Sequence, residues 1–255
     1  MEKTVPVFKI LGAKVHALTN EKLFEVVDFW IQQNLRKFIV LTGTHGIIEM
    51  QTDYGLKKIN HKADLSTPDG MPEVWLGRLK GFELEKVYAP TIMLGLFERG
   101  VGKSYRHFFY GGKEGVADLL VEKMKNRFPD LNVVGTYCPP FRELTNEERE
   151  TIIETINNSG AQIVWCGLGC PKQDKWMDTF SSHLNANVLI GVGAGFDFLS
   201  GEKPIAPKWI QQSGFEWLFR VFFEPKRLIK RYSIVIPKFL YFNFLDFLGL
   251  FKNNG

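Results

Sequence analysis

Gln162-Ile-Val-Trp-Cys-Gly-Leu-Gly169 runs straight into Cys170-Pro-Lys-Gln-Asp-Lys-Trp176, and this passage decides the fold. Its apolar, β-branched and aromatic opening reads as a buried strand, its glycines as a tight turn, and Pro171 as a first helical position for a helix over Lys172 to Leu184. The same order occurs upstream. Phe38-Ile-Val-Leu-Thr42 leads through Gly43-Thr44-His45-Gly46 into helical spacing over Ile47 to Ile59, and Arg106-His-Phe-Phe-Tyr-Gly-Gly112 leads into a helix from Glu114 to Phe128. Asn187-Val-Leu-Ile-Gly-Val-Gly193 adds a further strand that ends in Ala194-Gly195-Phe196-Asp197. Strands alternating with helices predict an α/β fold: a mainly parallel sheet with helices on both faces. Ahead of these units, Val5 to Leu18 turns at Leu11-Gly12 and reads as a short strand or hairpin, and Thr19-Asn20 caps a helix to about Asn34.

With 255 residues, 45% hydrophobic and 24% charged, the chain can bury one substantial core or a core plus a small appendage. The net charge of +4 requires no long polyanion, and no nucleic-acid partner is expected. Three cysteines, Cys138, Cys166 and Cys170, make no even framework, which fits a reducing compartment. The first residues carry no basic region followed by an apolar stretch, so no secretory signal is expected. Beyond about Lys203 the composition changes: Trp209, Phe215, Trp217 and Phe219 mix with Lys208, Arg220, Lys226, Arg227, Lys230, Arg231 and Lys238, while acids become scarce. The expected organisation is a core over 1–202 and a basic, aromatic C-terminal appendage over 203–255. A membrane-spanning helix needs about 20 apolar residues, and Pro237, Lys238, Asn243 and Asp246 interrupt this run. The segment is therefore expected to lie on an anionic membrane surface without crossing it. A helix closing the core or a dimer interface is the competing reading, so self-association stays open.

In parallel sheets, ligands bind outside the carboxyl ends of the strands, where Gly111, Gly112 and Gly169 fall. Neither a P-loop nor a dinucleotide fingerprint is present. Asp69, in the turn Thr67-Pro-Asp-Gly70 before a helix over Met71 to Leu79, reads as an exposed loop carboxylate: a general base or, on local pattern alone, a turn former. The helix start at Lys172 could hold phosphate on free N–H groups, and Gln173 could donate and accept hydrogen bonds to a sugar or base; a well-capped helix start explains the same residues. His45 could be a base or phosphate donor, or merely polar surface. Glu216 with Arg220, and Arg227 with Arg231, share helical faces, so guanidinium groups could clamp a diphosphate or be drawn to anionic lipid. There is no Asp-x-Asp pair and no His/Cys cluster with zinc spacing, so neither a metal nor another cofactor is expected.

Thr67-Pro-Asp-Gly70, Tyr110-Gly-Gly-Lys113, Gly167-Leu-Gly-Cys-Pro-Lys-Gln-Asp-Lys-Trp176, Gly193-Ala-Gly-Phe-Asp-Phe-Leu-Ser-Gly201, Ala206-Pro-Lys-Trp209, Glu216-Trp-Leu-Phe-Arg220 and Glu224-Pro-Lys-Arg227 occur in that order. Over about Val5 to Tyr232 the chain thereby resembles the WecG/TagA/CpsF family of bacterial glycosyltransferases, which build surface polysaccharides. The resemblance implies a Rossmann-like core whose membrane-associated C-terminal helical appendage completes the active site at the cytoplasmic face of the inner membrane. It also implies a UDP-sugar donor, an undecaprenyl-diphosphate-linked sugar as acceptor, and inverting, metal-free transfer. The family's base falls on Asp69, its glutamine on Gln173, and its appendage arginines on Arg220, Arg227 and Arg231 or the neighbouring Lys230. Two departures bear on sugar preference. Relatives commonly carry Thr-x-Asn where this chain has Thr42-Gly43-Thr44, and some carry Arg where it has Lys86. The donor sugar is therefore expected to be of N-acetylmannosamine type or another hexose. Competing expectations are a non-catalytic subunit that binds nucleotide or lipid precursor, and a nucleotide-dependent oxidoreductase on the same fold.

Overall fold

The computed structural model describes residues 4–251; residues 1–3, which entered the signal-peptide reading, and 252–255, the end of the expected appendage, lie outside the described residues. Strands β1 (Val7–Ile10) and β2 (Ala13–His16) form an antiparallel hairpin. Helix α1 (Asn20–Gln32) starts at Thr19, whose hydroxyl accepts the Lys22 N–H. After β3 (Lys37–Thr42) the single helix expected over Ile47 to Ile59 is in fact two, α2 (Thr44–Glu49) and α3 (Tyr54–Lys62). Asp53 causes the break, because its carboxylate accepts the Leu56 N–H at 2.9 Å and caps α3. The chain continues through β4 (Leu65–Pro68), α4 (Met71–Leu79), α5 (Ala89–Lys103), β5 (His107–Gly111), α6 (Val116–Arg127), β6 (Val133–Tyr137) and α7 (Asn146–Asn158). It ends with β7 (Ile163–Gly167), α8 (Lys172–Phe180), β8 (Val188–Gly191), α9 (Gly195–Ser200), α10 (Lys208–Ser213), α11 (Glu216–Phe223) and α12 (Pro225–Phe247). Pro171 caps α8 and does not occupy its first turn.

The second sheet has six strands in the order β4-β3-β8-β7-β5-β6, with every neighbouring pair parallel. Successive side chains alternate between its faces. Phe38, Val40, Phe108, Tyr110, Val164 and Cys166 pack against Ile59 of α3, Ile152 and Ile156 of α7, and Trp176 and Met177 of α8. Ile39, Leu41, Phe109, Trp165 and Ile190 face the other way, against α1, α5, α6 and α9. Burial of such side chains, at about 1.5–3 kcal/mol each, supplies the main drive for this three-layer arrangement. β3 and β8 are neighbours, yet the connection after β3 runs through α2 to α3 on one face and the loop after β8 to α9 on the other. Where such connections diverge, a crevice opens at the carboxyl ends of the strands.

The C-terminal helices are seated on this body. Val235 and Phe239 of α12, joined by the partly buried Phe242, repeat at helical spacing and enter a third core with Phe8, Ile10 and Val15 of the hairpin and Ile47 of α2. On the opposite face of α12, Leu240, Tyr241, Phe244 and Phe247 are exposed. α12 therefore does close a core along one side, as the competing reading had it. No described helix is long and apolar enough to cross a membrane.

Candidate active site

Asp69 follows β4 directly, and its N–H donates to the Thr42 carbonyl at 3.2 Å, extending the parallel ladder by one residue. The carboxyl lies against Gly43, its Oδ2 in ordinary contact distance of where a side chain there would begin. The expected exposed loop carboxylate is thus half-buried. Burial pushes it up to about 6; Lys86 and Arg220 pull it down, and Glu216 pushes it further up.

Those charges come from elsewhere in the chain. Lys86, just ahead of α5, pairs with Glu216 at the start of α11 and lies with its Nζ 4.3 Å from the centre of the Tyr88 ring. One turn on, the Arg220 guanidinium sits 5.5 Å from the centre of the Phe198 ring, and its Nε is buried without a hydrogen-bond partner. Among the described residues neither Arg220 nor Arg231 forms an ion pair, whereas Arg227 is held by Glu224 at 2.6 Å. Burial, and then the nearby Arg227 charge, pull Arg231 below its usual range. His45 lies 3.5 Å from Glu49 and is pulled to about 4 by burial and by Arg231 and Arg227, so near neutral pH it is an uncharged imidazole and no cationic phosphate donor. The crevice thus brings together Thr44, His45, Asp69, Lys86, Arg220, Arg227 and Arg231 from the β3 loop, the β4 loop, the α5 entry and α11–α12.

Other residues expected at the site stand behind it. The Thr42 hydroxyl is buried, 2.7 Å from the Ser66 hydroxyl and 3.2 Å from the Asn60 amide that donates to it, which removes it from direct ligand contact. Gln173 is buried too: its Oε1 accepts the Gly169 N–H at 3.0 Å and the Gly193 N–H at 2.9 Å, so that oxygen braces the loops after β7 and β8 and is not free for a sugar. Gln173→Leu is expected to lower stability by roughly 1–3 kcal/mol through these unpaired N–H groups, read by urea titration, and to speed hydrogen exchange at Gly169 and Gly193. Gly111 and Gly112, at φ 110° and 80°, allow β5 to meet the β7 loop, with the Gly112 N–H donating to the Gly167 carbonyl at 3.1 Å. Gly169, at φ 78°, faces open space, and the exposed Lys172 rests its Nζ 4.4 Å from the centre of the Phe141 ring.

Glu73, Tyr88 and Tyr232 also border this cluster through charge coupling with Asp69 or Arg220, and no local motif marks them. Among the described residues no group of three His, Cys, Asp or Glu side chains could hold a metal ion. A cavity of about 520 Å³ lined by Thr19, Arg78 and Gly81–Glu85 contains none of the clustered groups, so the chemistry is assigned to the crevice. A half-buried carboxyl raised to about 6, beside half-buried guanidinium groups that form no ion pair among the described residues, can take a proton from a hydroxyl and hold an anion.

The family profile described as "Glycosyl transferase WecG/TagA/CpsF family" matches residues 8–252. Two relatives share the name N-acetylglucosaminyldiphosphoundecaprenol N-acetyl-beta-D-mannosaminyltransferase. The one from Bacillus spizizenii strain W23 is 26% identical over 212 residues, 83% of this chain and 80% of the relative. The one from Bacillus subtilis strain 168 is 27% identical over 173 residues, 68% of this chain and 65% of the relative.

Proposed function

The chain belongs to the WecG/TagA/CpsF glycosyltransferase family, and from that premise we propose that it transfers a sugar from a UDP-sugar to an undecaprenyl-diphosphate-linked sugar with inversion. The observation that carries this reading is Asp69, held up to about 6, with the half-buried Arg220 close enough to act on its charge and keeping a buried Nε without a hydrogen-bond partner. Asp69 takes the proton of the acceptor hydroxyl as its oxygen attacks the anomeric carbon. The bond from that carbon to UDP breaks on the opposite face, and the electron pair leaves with the diphosphate. Arg220, Arg231, Arg227 and Lys86 meet the charge that develops there, while Lys172 and the N–H groups near Gly169 border the phosphates. The donor sugar is of N-acetylmannosamine type or another hexose.

Residues 1–202 act in this reading as a Rossmann-like core and 203–255 as an appendage that brings its arginines to the base. The exposed face of α12, with Leu240, Tyr241, Phe244 and Phe247, suits the headgroup boundary at the cytoplasmic side of the bacterial inner membrane. Changing Phe244 and Phe247 together to Ser is expected to weaken binding to anionic vesicles by at least about tenfold, about 1.4 kcal/mol, with an unchanged melting temperature; undiminished sedimentation with vesicles would refute it. Truncation at Ser233 is a poorer test, because it also strips Val235 and Phe239 from the hairpin core.

The decisive experiment incubates purified protein with a panel of UDP-sugars and a short-chain diphosphate-lipid acceptor and weighs the product. An acceptor one sugar heavier is expected. Binding of UDP or lipid without any mass gain would instead favour a non-catalytic precursor-binding subunit.

A further inference from the structure

Glu73, at the third position of α4, is wholly buried. Its Oε1 accepts a hydrogen bond from the Thr44 hydroxyl at 2.6 Å, and its Oε2 is shut off from solvent with no hydrogen-bond partner. Burial pushes the carboxyl up to about 7, and the Asp69 charge adds to this, while the Thr44 bond and the N–H groups of Gly70 and Glu73 itself act the other way. A carboxylate so enclosed is costly to keep, and an exposed glutamate could answer the helix N-terminus at less expense. What the burial achieves is a fixed contact with Thr44, half-exposed at the first position of α2, next to the glycine on which Asp69 rests.

A threonine hydroxyl has one proton and two lone pairs. We propose that Glu73 is a positioning residue that accepts the hydrogen bond of the Thr44 hydroxyl and so presents the Thr44 oxygen to the crevice as a hydrogen-bond acceptor, selecting a donor sugar that offers a hydroxyl or amide N–H at that point. The inference rests on the reading of the crevice as a UDP-sugar site. With Glu73 ionised, Thr44 keeps a single hydrogen-bonding sense toward the crevice.

The test is a double-mutant cycle of Glu73→Gln and Thr44→Val, with Thr44→Ser as the conservative variant, reading KM for the UDP-sugar, kcat and melting temperature. In Glu73→Gln the amide oxygen turns to the Gly70 and residue 73 N–H groups and the NH₂ turns to Thr44, so the Thr44 hydroxyl donates outward and mismatches the ligand. Thr44→Val and Glu73→Gln are each expected to raise KM roughly 3–10-fold with kcat nearly constant, from the net worth of one neutral hydrogen bond. Thr44→Ser stays near wild type, and Glu73→Gln adds nothing in the Thr44→Val background. An unchanged KM in Glu73→Gln, or the same loss with and without the Thr44 hydroxyl, overturns the proposal. Should Glu73→Gln fail to fold, UDP-sugars lacking single hydroxyl or amide groups decide. Wild type must lose one analogue selectively and Thr44→Val must not; equal discrimination by both overturns it. Failure of wild type to use any UDP-sugar would instead overturn the functional reading itself.

Discussion

Asp69→Asn is expected to lower transfer by roughly 10²–10⁴-fold and, at pH 8, to raise the melting temperature. Both effects follow from one cause. In the folded chain burial keeps the carboxyl protonated up to about 6, whereas its ordinary value is 3.8. Between these values the native state holds a proton that the unfolded chain has released, so stability falls as pH rises through this window and stays lower above it. Asparagine removes the charge and recovers on the order of 1–3 kcal/mol at pH 8, a gain that shrinks below pH 5. The same displacement puts the acid limb of wild-type kcat/KM near 6. Turnover assays across pH together with calorimetry at pH 5 and 8 check all three results, and wild-type turnover in the Asn variant would remove Asp69 from the role of base.

Arg220 carries the second large effect. Its Nε is buried and unpaired, and its charge helps hold Asp69 down against burial. Losing a hydrogen bond to a charged ligand is worth about 1.5–3 kcal/mol, so Arg220→Met should lower kcat/KM by roughly 10–150-fold. Arg220→Lys restores charge but no planar fork, and recovery should be partial. A second consequence separates Arg220 from a residue that merely grips phosphate: with its charge gone, the acid limb set by Asp69 should move above 6, whereas Glu216→Gln should move it down. A limb that stays put in Arg220→Met would show that the arginine does not reach the base.

The fold could be read where burial is symmetric. β3, β5, β7 and β8 are covered on both faces, so their apolar runs stand out, and the Thr19 cap and the Leu11-Gly12 turn follow from local chemistry. β6 and α7 leave no such mark, because β6 is half-buried throughout and α7 buries only Ile152 and Ile156 in an acidic helix. In α5, Gly95, Gly100 and Gly102 blur a periodic pattern. At the crevice, Asp69 is legible through its motif, but the charges that act on it come from Lys86, Glu216 and Arg220, elsewhere in the chain. Gln173 stood out as a position, yet its work as a brace depends on Gly193, twenty residues on. Glu73 had no signal at all: a glutamate in a first helical turn is ordinary, and only the contact with Thr44 makes it otherwise.

The strand order has a consequence for how the chain is made. Among the described residues β8 is the last strand in the sequence, yet it lies inside the sheet, pairing Leu189 with Phe38 of β3 and with Val164 of β7. Until it emerges from the ribosome, β3 and β7 each present an unfilled edge, with Ile39 and Trp165 uncovered beside it. The sheet therefore closes late, through a contact between residues far apart in sequence. Any partial sheet formed before β8 is added would carry an open edge, which other chains can pair with.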